Sequence, residues 1–550
     1  MTGILFYFVF LSRNFKNAAK LNPMNQYCAI LLFIFSFFSN SISQVKFYKT
    51  IGGTKDDFGS FALQTIDGGF IVAGSTESFG EGVLDIHINK TDAQGNLLWT
   101  KTYGGKGVDY CSAIQETKDG GFILVGTSDI SSPSNSDVYL IRTDANGTIL
   151  WSKTIGGNGN DIAYSILQTS DGGFLFAGST ESFSLGSRDI YLIKTDSIGN
   201  VLWSKSTGGI GNEVAFTIRQ TNDGGYILIG DTYSFGVGGV DILLLKIDSN
   251  GSILWSKTYG GLGDDFGRDV LQSADGGYMI AGFGDSFALG KSDFYLIKVD
   301  FQGNVIWSKS YGDAGDEVSS SVQQTLDGNI VIFGTSQSFK VENPDLFIIK
   351  VYLNGKVLWS KTMGGEINDL PESIENTKDG GFIICGTGGF MNRDDYDILL
   401  IKTDNLANSG CNEQLQNTIG SIAGVQTTNP TLILTSRNNR LTSPASITKS
   451  SGIINTICTS VGINELTQEI PFLILPNPSN GNFIINFNYM IEEGRIELFN
   501  CLGDKIYSDI INKSFKKSIH LKNIEDGIYM AKIYDKVKYE IKKIMIQDNY

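Results

Sequence analysis

The stretch "DIYLIKTDSIGNVLWSKSTGG", Asp189–Gly209, reads as two strands joined by a tight turn, and the chain repeats it at a fixed step. All six tryptophans, Trp99, Trp151, Trp203, Trp255, Trp307 and Trp359, fall in the LW or IW dipeptide of this stretch, each 52 positions after the last. A fixed period of that length marks an array of supersecondary units that bury their faces on one another.

Working outward, other positions keep the same step. An Asp-Gly pair recurs from Asp67 to Asp379, a strong signal for a tight hairpin turn. Seven glycines from Gly74 to Gly386 sit inside apolar strands, as expected where a neighbouring sheet comes too close for a side chain. Apolar runs such as "IYLI" and "ILLL" lie between an Asp (Asp85 to Asp397) and a Lys or Arg (Lys90 to Lys402), without the polar alternation of a half-exposed strand. Each unit therefore supplies four strands.

An isolated sheet that is apolar on both faces is not soluble, so the sheets stack, and closing the stack into a ring removes its exposed ends. The seventh unit stops after "DILLIKTDN" and lacks a Trp strand, whereas "VKFYKTIGG" places Phe47 one step before Trp99. The two fragments complete each other. The sequence predicts an all-β, seven-bladed β-propeller over 44–404, with the Phe47 strand closing the last blade. Small residues at one register of the first strand, Gly59, Cys111, Ala163, Ala215, Gly267, Ser319 and Pro371, suit the crowded centre of a ring.

Composition agrees. With 66 Gly, 9 Pro and 41% hydrophobic residues, the chain is globular and rich in short strands and turns. Residues 1–43 read as a leader: an apolar run after Met24, "CAILLFIFSFF", ends in "SNSIS", which fits export, cleavage after Ser43 and a true start at Met24. A retained N-terminal anchor is the competing account; otherwise the mature chain has no stable membrane span. The formal charge of −15 resides in the repeats, where 44–404 carry 26 Lys and Arg against 45 Asp and Glu. That sign argues against nucleic acid as a partner.

Residues 405–469 read as a Ser/Thr/Asn-rich linker. Cys411 and Cys458 bracket it and are expected to form a disulfide, worth about 4 kcal/mol for a loop of that length. Cys111 and Cys385 read as small core residues. The last segment, 470–550, contains "LPNPSNGNFIINF", "RIELFNCLGDKIY", "IEDGIYMAKI" and "KKIMI". It resembles the type A C-terminal sorting domain of the type IX secretion system of Bacteroidota, with Pro476, Asn477, Pro478, Gly481, Gly503, Gly527, Tyr529 and Lys543 on the family's pattern. The resemblance implies a small β-sandwich handled by the type IX machinery, with the cargo released or attached at the surface. The terminal "QDNY" departs from the usual basic-apolar end. The repeats also resemble the Gly-rich propeller repeats of bacterial surface proteins.

Only two histidines exist, His87 and His520, in different segments, so no Ser-His-Asp set or His-rich metal site is expected. Carboxylates remain. Asp57, Asp109, Asp161, Glu213, Asp265, Glu317 and Asp369 recur once per unit ahead of the first strand. They read either as acceptors for backbone N–H groups within their own blade or as a ring for a ligand or Ca2+; no other cofactor is expected. The loops between second and third strands vary most, Ser132–Ser136 and Phe390–Tyr396 departing furthest, which suits recognition. The expected function is a secreted or surface-displayed, non-catalytic binding module for protein or glycan. The alternatives are a glycan-active hydrolase or lyase using loop carboxylates such as Asp265 or Asp394, and a structural or gliding-associated surface protein.

Overall fold

The computed structural model describes residues 44–129, 135–288, 290–339, 344–364, 368–389 and 395–410, then the strands between 413 and 458 and those of the tail between 472 and 546. The chain divides into two compact units, Met1–Ser460 and Val461–Tyr550. Among the described residues every regular element is a strand. The leader, 1–43, lies outside them.

Each repeat makes an antiparallel four-stranded sheet. In the third, Asp161–Gln168, Phe174–Thr180, Asp189–Thr195 and Val201–Thr207 lie side by side in that order, from the inner strand to the outer. The second and third strands are buried along their whole length, which accounts for their unbroken apolar character. Between the first two strands, Gly172 takes φ +82°, and Asp171 accepts the Gly173 N–H at 3.0 Å. Asp171 also receives Lys194 from the third strand at 2.9 Å. This pair explains two of the repeated positions at once: a buried Lys or Arg meets the exposed turn Asp in every sheet, from Lys90–Asp67 at 2.9 Å to Lys402–Asp379 at 3.0 Å.

The repeated Trp joins neighbouring sheets. Trp99 of the first sheet meets Phe122 of the second edge-on, with centroids 6.2 Å apart, and Trp255 meets Tyr278 at 6.0 Å. Gly147, in a turn of the second sheet at φ +74°, lies against the Trp99 ring, where a Cβ would come within 2.9 Å.

The outer strand of the seventh sheet is Phe47–Gly52, which pairs antiparallel with Tyr396–Thr403: Phe47 faces Lys402 and Ile51 faces Ile398. The seventh sheet in turn bears on the first. The Gly59 N–H donates to Thr387 Oγ1 at 3.0 Å, and Lys378 Nζ donates to the carbonyls of Thr65 and Ile66, both at 2.9 Å. The other junctions are bonded in the same way. From the first to the seventh they include Ser60 Oγ to the Cys111 carbonyl (2.7 Å), Gln168 N–H to Gln115 Oε1 (2.6 Å), Ile218 N–H to Ser165 Oγ (3.3 Å), Thr217 Oγ1 to the Arg268 carbonyl (2.9 Å), Val322 N–H to Asp269 Oδ2 (3.0 Å) and Ser320 Oγ to the Pro371 carbonyl (3.1 Å).

The stretch expected to be a linker does something else. Seven short strands between 413 and 458 each add a fifth strand to one sheet, in reverse order of the repeats. Glu413–Gln416 pairs with the outer strand of the sixth sheet, Ile419–Ile422 with the fifth, Gln426–Thr428 with the fourth, Thr435–Ser436 with the third, Arg440–Thr442 with the second and Ile447–Lys449 with the first; Ile453–Cys458 then pairs with Phe47–Gly52. The physical reason is the row of unpaired N–H and C=O groups on each outer strand, which this segment covers over the half that follows the Trp. The Cys411–Cys458 pairing lies outside the described residues.

In the second unit, Phe472–Leu475, Asn482–Phe499, Gly527–Asp535 and Lys538–Ile546 pair in that order, and Lys505–His520 runs along Asn482–Phe499. The long strand pairs with Phe472–Leu475 through its first half and with Gly527–Asp535 through its second, so its two halves enclose one core that includes Phe483, Ile496, Ile511, Tyr529 and Ile533.

Candidate ligand site in the inner cavity

The inner strand of every sheet carries a β-bulge. In the third sheet the register against the second strand slips between Ala163 and Ser165, leaving Tyr164 unpaired, and the same slip occurs at the equivalent place in the other six. Gly178 makes it possible: a Cβ there would overlap the Ile162 carbonyl, and the same holds for each glycine from Gly74 to Gly386 against its own inner strand. The repeated glycine was expected to admit a neighbouring sheet. The close approach is instead within one sheet, at the bulge. The small residues one position before the bulge pack on the preceding sheet, as Gly59 does on Gly386 and Cys385, and Gly267 on Ile229 and Gly230.

A bulge re-aims the extra side chain. The seven bulge residues, Ser60, Ser112, Tyr164, Phe216, Arg268, Ser320 and Glu372, all line one cavity of about 660 Å3, to which the inner strands of all seven sheets contribute. Here the repeat breaks. The register slip and the glycine opposite it recur in every sheet, while the bulge residue itself changes from hydroxyl to aromatic ring to guanidinium to carboxyl.

The fourth and fifth sheets supply the aromatic and cationic wall. The Arg268 guanidinium lies 4.3 Å from the Phe216 ring centroid, 4.9 Å from Phe283 and 5.4 Å from Phe266. It also pairs with Asp231 at 2.9 Å, and Asp231 accepts the Gly267 N–H at 2.8 Å. Burial pushes the Asp231 carboxyl up, against the opposing pull of Arg268. Tyr164 packs against Phe216, with ring centroids 5.2 Å apart and the planes tilted by 51°. Further along the inner strands, Arg219 bonds both oxygens of Asp269, at 3.1 and 3.2 Å, and Asp269 also accepts from Ser321 and from the Val322 N–H, each at 3.0 Å.

The seventh sheet supplies two acids. Water reaches Glu372 inside the cavity, yet the surrounding protein displaces bulk solvent and pushes its carboxyl up to about 8. Burial likewise pushes Glu375 up to about 7, against the attraction of Arg219. Glu372 is the one carboxyl among the seven bulge residues, and no hydrogen bond to it is made among the described residues.

The carboxylates singled out by recurrence are elsewhere. Asp57, Asp109, Asp161, Glu213, Asp265, Glu317 and Asp369 are all buried, and none lines the cavity. Each of the following accepts bonds from the segment that leads in from the preceding sheet, or from the end of its own second strand and the loop after it. Asp57 takes the Gly53 N–H at 2.7 Å and Ser78 Oγ at 2.8 Å, Asp109 takes the Gly105 N–H at 2.9 Å, and Asp161 takes the Gly157 N–H at 2.8 Å and Ser182 Oγ at 2.6 Å. Glu213 takes the Gly209 N–H and Asp265 the Gly261 N–H at 2.6 and 2.7 Å, while Glu317 takes Ser336 Oγ at 2.6 Å. Burial outweighs these bonds at Asp109 and Asp161, pushing both up to about 6. Among the described residues no group of three or more His, Cys, Asp and Glu is placed to hold a metal ion.

His87 is buried and shares a 2.8 Å hydrogen bond with Thr100 Oγ1; His520 bonds Asn482 in the tail. Cys111 and Cys385 are buried thiols, and burial pushes Cys111 up to about 12. Of the loops expected to carry recognition, Ser132–Ser134 and 390–394 lie outside the described residues, Asp394 with them. Among the sorting residues, Pro476, Asn477, Pro478, Gly481 and Gly503 also lie outside; Tyr529 is buried in the tail core, Gly527 opens its strand and Lys543 pairs with Met530. No helix among the described residues is long and apolar enough to cross a membrane.

The bulge residues were missed because variation was sought in the loops, while within the strands only recurring positions were singled out. The usable signal was the reverse: at positions 60, 112, 164, 216, 268, 320 and 372 the repeat fails, and Arg268 departs together with its partner Asp231.

No curated protein matches the chain. Among solved structures, the extracellular domain of a hybrid two-component system from B. thetaiotaomicron aligns at 10% identity over 88% of this chain and 77% of its own, with a TM-score of 0.12. The BSP domain of a biofilm-associated protein aligns at 9% identity over 93% and 91%, with a TM-score of 0.13. Neither likeness carries an argument about fold or function. The tail is different: residues 473–547 match the family model described as the secretion system C-terminal sorting domain. The chain thus carries a type IX sorting tail, is handled by that secretion machinery, and is secreted to the outer cell surface or the extracellular space.

Proposed function

We propose that the first unit is a seven-bladed β-propeller of secreted, repeat-built type, exported by its tail, and that it serves outside the cell as a non-catalytic binding module for a glycan or a protein. One observation carries this: seven equivalent side chains, each aimed by a bulge into the same cavity, differ in chemistry while the frame that aims them is repeated. A rigid frame with a varied lining suits selection among ligands rather than bond cleavage. The pairing of Phe47–Gly52 with Tyr396–Thr403, and the bonds from the seventh sheet to the first, support a closed ring. Asp265, the described carboxylate of the hydrolase alternative, is engaged with the Gly261 N–H and Ser286, which favours binding over hydrolysis.

The test is to present the full secreted chain to arrays of extracellular polysaccharides and surface proteins. Retention on a defined class, without release of new reducing ends, is the expected outcome. Release of reducing ends that disappears on Asp265→Asn would establish the hydrolase instead.

A further inference from the structure

We infer that the inner cavity receives an amino sugar, its ammonium group held by Glu372, its hydroxyls by the serines beside Glu372 and its apolar face by Tyr164. This assignment rests on the binding-module reading above and names the ligand class for its cavity.

Charge decides the first part. Of the four charged side chains that line the cavity, three are already matched: Arg268 with Asp231 at 2.9 Å, and Arg219 with Asp269 at 3.1 Å; Glu375 does not line it and is attracted by Arg219. Glu372 has no such counter-charge. A carboxylate ligand would find both guanidiniums engaged, whereas an ammonium group would find a carboxyl open to the cavity and without counter-charge, which its arrival would draw into the ionised form. The repeats around it are strongly acidic, which raises the local concentration of cations further.

Shape and polarity decide the second part. On one side of Glu372, Ser320 hydrogen-bonds the Pro371 carbonyl; on the other, Ser60 hydrogen-bonds the Cys111 carbonyl, with Ser112 beyond. Each serine hydroxyl keeps lone pairs to accept from a sugar O–H. Across the cavity stands the aromatic wall. Arg268 already covers Phe216, and Phe61 packs against the hydrophobic core of the first two sheets, which leaves Tyr164, aimed by its bulge, as the ring to offer a face. One hydroxyl-lined half, one aromatic half and a single unmatched acid describe a small polyol with an ammonium group, and about 660 Å3 has ample room for it.

The experiment uses the full secreted chain and three probes, glucosamine, glucose and N-acetylglucosamine, titrated by calorimetry and by ligand-observed saturation-transfer NMR. Glucosamine should bind about 10-fold or more tightly than the two sugars that lack a charged amine, the usual effect of a charge-assisted hydrogen bond. Glu372→Gln should remove that preference while the thermal unfolding curve shows the variant folded. Tyr164→Leu should weaken all three sugars alike, a second readout independent of Glu372. Equal binding of the three probes, binding of none, or a preference that survives Glu372→Gln overturns the inference. Retention of another glycan or protein on the arrays would then leave the binding module standing without this ligand. No retention of any class would overturn the binding module itself.

Discussion

Phe47 and Lys402 face each other across an antiparallel pair, although one opens the repeat array and the other nearly ends it. Ile51, in the same short strand, is completely buried. Ile51→Ala should therefore cost about 2–5 kcal/mol, as for a buried isoleucine in the middle of a core, and as much as Ile155→Ala at the equivalent place in the second sheet. Chemical denaturation followed by tryptophan fluorescence reports on the repeats, since every Trp lies there. A change below about 0.5 kcal/mol, the range of ordinary surface substitutions, would show that the strand merely lies on the seventh sheet.

Arg268 and Asp231 should be coupled. Arg268→Ser leaves Asp231 buried without its cation and should cost about 3 kcal/mol or more. Adding Asp231→Thr, the residue type of the second, sixth and seventh sheets at that position, should recover most of the loss. A double-mutant cycle with additive effects would contradict the pairing.

Stability should peak near pH 4 and fall on both sides. Asp171 is held down to about 2, first by the Thr169 hydroxyl and then by Lys194, so its contribution is full above the unfolded value near 4 and fades as pH falls towards 2. Asp109 and Asp161, near 6, and Glu375 and Glu372, near 7 and 8, work in the opposite sense: burial makes the folded protein hold their protons more tightly. Their contribution is full below about 4 and is lost as pH rises through 6 to 8. Thermal unfolding from pH 2 to 9 checks this, and Asp161→Asn should flatten the part of the decline between 4 and 6. A midpoint unchanged from pH 4 to 8 would refute it.

Gly147→Ala should destabilise the protein by about 1–2 kcal/mol, because φ is +74° and the added carbon meets the Trp99 ring. The seventh sheet offers the converse. Ala407 occupies the equivalent turn position at φ +56°, and Ala407→Gly should raise stability by up to about 1 kcal/mol. Denaturation midpoints of the two variants, moving in opposite directions, are the check.

How much of this is written in the chain depends on the range of the interaction involved. The turn Asp and its buried Lys, as at Asp171 and Lys194, lie 23 positions apart within one sheet and recur in every unit, so their step gives them away. The pairing of Phe47 with the last sheet was legible as a missing strand at one end and a surplus one at the other. Tyr164 and Glu372 were not legible, because a bulge leaves no local signature: Gly178 recurs visibly, but that it faces the Ile162 carbonyl depends on the register of two strands. The strands between 413 and 458 are two to six residues long, too short for a two-residue period to rise above noise. Their partners are edges that exist only once the sheets have formed.

That same segment alters what opening the molecule requires. A stack of similar units would ordinarily fray one unit at a time. Here a single thread is hydrogen-bonded to all seven outer strands, so detaching any one sheet also strips its rung from the thread. Piecemeal fraying gives way to a more nearly concerted escape. For a protein that works outside the cell among proteases, lifetime then depends on how slowly the whole thread peels.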